Sequence, residues 1–411
     1  MVKAAPVSEA QRIRQLDGIR GFALFGIFLV NMPTFLQPAL FLPGSGLPAA
    51  HSLLDEWIRL FFNLFVQTKF YTIFSFLFGA SFYLFMSRAE RKGFPMRRLY
   101  VRRLVALFVF GASHLLFLWY GDILHSYALA GFFLLLFYRM DDAGVQRWAW
   151  SLLICMQILY GLTLFTAADP DASVSTVDTA LIDQAKEAYN YGNWHQWMQF
   201  RLAHELPQVV ENEWFVIWSV LPLFLFGFSL ARQGLFRDVQ RYVPVIRRVW
   251  WGVLGASIAL VSMIPLLQYG VVSFPAPRDT AVQVFVEWSG LALCTFYICS
   301  LLLLYEKERR PRLLKHLESV GRMALTHYLA QTVVSVLLAR VFHLYGEAGM
   351  AVGVVLCLLI FPLQIAFSTW WLARYWYGPA EWVWRTLTYG SRIPMRKAKG
   401  TTGSNGQQRD G

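Results

Sequence analysis

The sequence predicts an all-α integral membrane protein that crosses the bilayer about ten times, with both termini cytoplasmic and one helical segment on the outer side. Three observations carry that expectation. Of 411 residues, 56% are hydrophobic and only 15% are charged, whereas soluble domains carry about a quarter charged residues. Apolar runs near the length of about 20 residues needed to cross the hydrocarbon recur along the chain. The basic residues sort to alternate loops between those runs.

Candidate spans occupy 18–37, 70–87, 104–120, 122–139, 148–167, 214–232, 249–269, 282–304, 323–344 and 350–373. The first follows Arg12, Arg14 and Arg20, as a signal peptide would. It is too long for such a segment and lacks a small-residue cleavage site, so it is expected to persist as the first span. With the N-terminus cytoplasmic and the sides alternated, six of the 37 Lys and Arg residues fall outside: Arg59, Lys69, Lys186, Arg201, Arg278 and Arg340. The rest fall inside, as the positive-inside rule requires. A missed or invented span would swap every later loop, so this asymmetry constrains the count. The 17% aromatic content suits belts of rings at the lipid headgroups.

The net charge of +12 borders apolar runs instead of forming a soluble basic face. The expected partner is therefore the lipid bilayer and not nucleic acid. Cys155, Cys294, Cys299 and Cys357 lie inside apolar runs without metal-ligand spacing, so neither a disulfide nor a metal is expected. Residues 52–66 are apolar but carry Asp55, Glu56 and Arg59, and read as an interfacial helix on the outer surface. The acidic stretch 168–213 is the outer segment, with one or two amphipathic helices between Val177 and Leu206. Residues 1–395 read as a single transmembrane domain and 396–411 as a disordered cytoplasmic tail.

Ionisable groups inside the bilayer cost about 2.5–3.5 kcal/mol each by insertion scales, which makes them candidates for function. Asp17 and Arg20 stand three residues apart on one helix face, where they can neutralise each other. Asn31 follows near the outer end of the same helix, as helix glue or as a substrate contact. The stretch GASHLLFLWYGDILHSYALAG puts His114 near the outer end of the third span, and Asp122 and His125 at the start of the fourth. A tight turn at Tyr120–Gly121 would bring all three into one layer, where a carboxylate can orient a histidine base. The plainer alternative is a buried histidine with Asp122 as a helix cap. Lys69 and Glu287 sit at outer span ends, where Lys69 can snorkel and Glu287 can reach a cavity. Glu381 and Arg385 have the spacing of a helical ion pair.

The chain resembles the YeiB-like bacterial membrane family, also called domain of unknown function 418. The resemblance is carried by RQLDGIRGFALFGIFLVN at 14–31, KFYTIFSFLFGASF at 69–82, GASHLLFLWYGDILHSYALAG at 111–131, GRMALTHYLAQT at 321–332 and GPAEWVWRTLTYG at 378–390. The opening LD-x-x-RG, followed by an apolar helix ending in VN, also looks like the start of transmembrane acyltransferases. That likeness implies a cytoplasmic acyl-CoA or acetyl-CoA donor, an acceptor on the far side, and an intramembrane histidine as base or acyl carrier. It places Asp17, Arg20, Gly21 and Asn31 in the motif's first helix. The O-acyltransferase branch has histidine where this chain has Asn31, so the candidate base here is His114.

Under this reading Arg97, Arg98, Arg102 and Arg103, with the cluster at 12–20, would bind the donor's phosphates as charge-assisted partners. Asp122 would fix the tautomer of His114, and the segment 168–213 would cover the site of a cell-envelope or small-molecule acceptor. The competing expectation is a multi-pass transporter or exporter, with polar groups such as Lys69 and Glu287 near its substrate path. A non-catalytic membrane protein is a third. The sequence leaves a homodimer open.

Overall fold

Across hydrocarbon a helix satisfies its own backbone hydrogen bonds. The computed structural model describes residues 12–42, 47, 52–166, 179–307 and 311–397, and these are almost entirely helical. Helix α1 (Arg14–Leu36) is followed by α2 (Leu53–Phe65), α3 (Lys69–Arg91), α4 (Met96–Phe117), α5 (Leu124–Phe137) and α6 (Asp142–Leu162). Then come α7 (Thr179–Asn190), α8 (Trp194–Phe200), α9 (Leu206–Arg232), α10 (Val239–Gln268) and α11 (Arg278–Tyr305). The chain continues through α12 (Arg312–Arg322), α13 (Ala324–Val341), α14 (Met350–Arg374) and α15 (Pro379–Tyr389). Nine helices among the described residues are long and apolar enough to cross a membrane. The protein is a polytopic helical membrane protein.

Helices α1, α3, α9 and α11 form the middle of the bundle, where α3 packs along α9 and α1 against α3, α12 and α13. In α6 and α10 only 11% of the apolar window is buried, against 61% in α1, which puts these two helices on the lipid-facing periphery. Where α1 crosses α12 the backbones touch. A Cβ on Gly21 would overlap the carbonyl of Leu317, and one on Gly321 the carbonyl of Asp17. Small residues permit such approaches between membrane helices.

Two span boundaries change. The fourth predicted span, 122–139, is the 14-residue helix α5, and Asp122 precedes it on a non-helical linker. The apolar run was continuous, so hydropathy alone could not mark the break. The sixth span does not begin at 214: helical backbone runs from Trp194 through a π-helical turn at Arg201–Glu205 into α9. Part of the outer segment is thus an extension of that span. Residues 52–66 do form a separate amphipathic helix, α2, which is divided from α3 at Thr68. Thr68 has φ 64°, a costly angle for a β-branched residue, and its hydroxyl is held by the Val286 carbonyl at 3.0 Å. Arg396 pairs with Tyr375 in an isolated antiparallel bridge, and the expected disorder of the tail falls on 398–411, outside the described residues.

The predicted Glu381–Arg385 pair is not among the ion pairs of the described residues. Glu381 instead caps α13, accepting from the backbone nitrogens of Leu325 (2.7 Å) and Thr326 (3.1 Å) and from the Thr326 hydroxyl (2.6 Å). These are the N–H groups a helix start leaves without partners. Arg385 lies over the Tyr377 ring at 4.5 Å. Glu381→Ala should destabilise the protein by about 1–3 kcal/mol, as expected when buried donors lose their acceptor. Thermal unfolding in detergent measures it, and an unchanged midpoint would contradict the cap.

Candidate active site

Helix α5 has 14 residues, about 21 Å of rise, and the apolar part of α4 after Arg103 is equally short. Neither fills a hydrocarbon core about 30 Å thick. Their junction, residues 118–123, is irregular backbone that carries the buried Trp119, Tyr120 and Asp122. Such backbone survives at membrane depth only inside protein, and the outer segment supplies the cover. Arg201 donates to the carbonyls of Leu115 (2.6 Å) and Leu116 (3.1 Å), two acceptors at the end of α4. Its Nε is held by Glu205 at 2.9 Å, and Glu205 also accepts from the Tyr189 hydroxyl at 2.6 Å.

Beneath that cover the structure brings His114, Asp122 and His125 together. Asp122 Oδ1 lies 2.9 Å from His114 Nδ1, and Oδ2 lies 2.8 Å from His125 Nδ1. Oδ2 also accepts from the His125 backbone nitrogen at 3.0 Å. His125 Nε2 meets Glu213 Oε2 of α9 at 3.0 Å, and the Ser126 hydroxyl donates to the same oxygen at 3.0 Å. His114 Nε2 is buried and has no hydrogen-bond partner among the described residues. A histidine fixed through one nitrogen, with the other open, has the arrangement of a base or nucleophile.

A cavity of about 350 Å³ approaches this cluster from the opposite, basic end of the molecule. Its mouth carries Arg12, Arg20, Arg88, Lys92, Arg103, Arg322 and Arg385, against the two carboxylates Asp17 and Glu381. Asp17 is shared by Arg20 at 3.1 Å and Arg12 at 3.6 Å, and Glu381 is committed to its cap. The mouth therefore holds uncompensated positive charge. Burial, and then the neighbouring Arg322, push the Arg12 guanidinium down to about 10. Nε and Nη2 of Arg322 are buried without hydrogen-bond partners among the described residues. The deeper walls are apolar, with Phe74, Leu77, Phe78 and Leu107, and the cavity ends at Ile123, Leu124, Tyr127 and Tyr328. The ring of Tyr328 lies 5.2 Å from that of His114 and separates it from the cavity.

Of the predicted donor-binding arginines, Arg12 and Arg20 of the first cluster line the cavity, and of the second only Arg103 does, stacked on Trp384 at 3.6 Å. Arg97 and Arg98 are exposed, and Arg102 donates to the Leu387 carbonyl at 3.0 Å. A cluster of like charges along one helix turns most of its members away from any single site. Asn31 is half-buried on α1, its carbonyl accepting the Thr34 hydroxyl at 2.6 Å, and it does not line the cavity. Lys69 does not snorkel. It is fully buried, with Nζ 2.9 Å from the Asn63 carbonyl. Glu287 accepts from Tyr71 and Gln283, each at 3.2 Å, also away from the cavity. Sequence reasoning missed Arg88, Arg322 and Arg385 as cavity residues, and it gave Tyr328 and Glu213 no place beside the histidine cluster.

The cluster depends on close contact between α4 and the linker. A Cβ on Gly111 would overlap the His125 backbone nitrogen and come within 2.8 Å of Asp122 Oδ2. Gly111→Ala should therefore destabilise the protein by about 1–3 kcal/mol, the usual range for overpacking. A melting temperature equal to that of the parent would contradict the contact.

Residues 230–391 match the family described as protein of unknown function (DUF418). Over 414 residues the chain is 32% identical to a Bacillus subtilis (strain 168) protein named uncharacterized protein YxaH, covering 97% of this chain and 99% of that protein. It is 31% identical over 404 residues to an uncharacterized 39.9 kDa protein in the amylase 3' region of Bacillus acidopullulyticus, covering 95% and 97%. With uncharacterized protein YeiB of Escherichia coli (strain K12) the identity is 26% over 388 residues, covering 92% and 97%. No solved structure matches the chain significantly. The chain belongs to the YeiB-like family of membrane proteins, DUF418.

Proposed function

We propose that this protein is an acyltransferase of the bacterial inner membrane, which moves an acyl group from a cytoplasmic acyl-CoA to an acceptor presented at the other face. The observation that carries the reading is the cavity. Its cationic mouth and apolar depth suit a donor with phosphates at one end and an acyl thioester at the other. From Arg103 to His114 is eleven residues of α4, about 16 Å along the axis, so the acyl end lies deep while the phosphates stay with the arginines. His114 Nε2 takes the acceptor's proton as the acceptor attacks the thioester, and the acyl–sulfur bond breaks to release CoA as the thiol. Alternatively it takes the acyl group itself with loss of CoA and passes it to the acceptor; in either case Asp122 holds its Nδ1. Tyr328 must swing aside for the thioester to reach that nitrogen. The resemblance of residues 14–31 to the opening of transmembrane acyltransferases supports the same chemistry.

Acetyl-CoA should raise the melting temperature of the purified protein and be cleaved to free CoA. His114→Ala should lower turnover at least about a hundredfold while keeping donor-induced stabilisation. Arg322→Ala should weaken that stabilisation roughly tenfold or more in donor concentration, since a hydrogen bond to a charged group is worth about 1.5–3 kcal/mol. Absence of both stabilisation and CoA release at millimolar donor would overturn the proposal. Binding without cleavage would favour a carrier.

A further inference from the structure

Beyond His114 and Asp122 the hydrogen-bonded chain continues, and nothing in the acyl-transfer reading requires the rest of it. A single carboxylate suffices to orient a histidine. Here a second histidine and a second carboxylate follow, at successive distances of 2.9, 2.8 and 3.0 Å from His114 Nδ1 to Glu213 Oε2. Side-chain exposure rises along the series, from 1% at His114 and 0% at Asp122 to 8% at His125 and 16% at Glu213. The neighbouring residues Glu211 and Asn212 are exposed. His125 uses both ring nitrogens, one toward each carboxylate, so it can accept a proton on one while releasing another from its partner nitrogen. Intramembrane rows of Asp, Glu and His of this kind mark proton relays.

We propose that His125 and Glu213 are positioning residues that connect His114, through Asp122, to the water at the end opposite the basic cavity. The protonation of His114 then follows the pH of the acceptor side and not that of the donor side. The role of His114 as a base rests on the acyl-transfer reading; the path itself rests on the geometry. Apart from the four members, the titratable groups facing the chain among the described residues include Tyr328 of α13, whose hydroxyl interacts with Asp122 and accepts from the Ile123 nitrogen at 3.4 Å, and Tyr127 of α5 beside it. Arg201 and Glu205 are paired with each other above it. Toward the cavity, Tyr328 stands between His114 and water.

The test uses the full chain in vesicles of defined orientation, without donor. The pH is jumped on one side at a time while infrared bands of the carboxylate–imidazole pair, assigned with Asp122→Asn, are followed. The bands should respond promptly to a jump on the Glu213 side, and Glu213→Gln should slow that response at least tenfold. Ser219→Ala, on α9 and bonded to the Val216 carbonyl instead of a member of the path, should leave it unchanged. A prompt response to the basic side, an unchanged response in Glu213→Gln, or equal slowing in Ser219→Ala would each overturn the proposal. If wild-type protein cleaves no acetyl-CoA while its bands follow the Glu213 side, the acyl-transfer reading fails and the path stands.

Discussion

The carboxylate of Asp122 is the interaction on which the rest of the site depends. An ion in a low-dielectric interior persists only when paired and fully hydrogen-bonded, and Asp122 meets that condition by gathering two imidazoles and a backbone nitrogen. Its position follows from an early stop. Because α4 ends at Phe117 and α5 starts at Leu124, a short irregular stretch can carry a carboxylate into the bundle. Gly111 lets the facing helix come close enough to reach it. The π-helical turn before α9 then places Arg201 over the exposed carbonyls of α4. Each of these features would be a defect alone; together they satisfy one another.

The second constraint is the sorting of charge by the lipid barrier. By the positive-inside rule, cations kept to one side orient the chain, and the fold then uses some of them again. Arg12, Arg88, Arg103, Arg322 and Arg385 come from five separate segments and converge on one cavity mouth. Asp17 ties two arginines there without cancelling the excess. The interior above is apolar up to Tyr328, so the cavity runs from a cationic mouth to an apolar end. Under the proposed function that polarity suits an anionic, acyl-bearing ligand.

Much of this was legible in the sequence, because lipid imposes a length on spans and a sidedness on lysine and arginine. The grouping of His114, Asp122 and His125 was legible too, since a tight turn between antiparallel helices leaves few alternatives. What could not be read depends on the third dimension. Nothing in an unbroken apolar run distinguishes a full span from the short helix α5. The i,i+4 spacing of Glu381 and Arg385 promised a pair, but the start of α13 offered the carboxylate three donors instead. Glu213 looked like one more acid of the outer segment until α9 was found to pack against α5. Arg97 and Arg98 looked equivalent to Arg103, and only helix rotation separates them.

The account stands or falls on the separation of the two ends by one protein layer at the linker. Thiol accessibility tests it most directly, in a Cys155→Ser background because Cys155 is the exposed native cysteine among the described residues. Ile123→Cys, at the deep end of the cavity, should react with a small membrane-impermeant reagent supplied from the cytoplasmic side alone. Glu211→Cys should react from the other side alone. Modification of Ile123→Cys from the side that reaches Glu211→Cys would contradict the account.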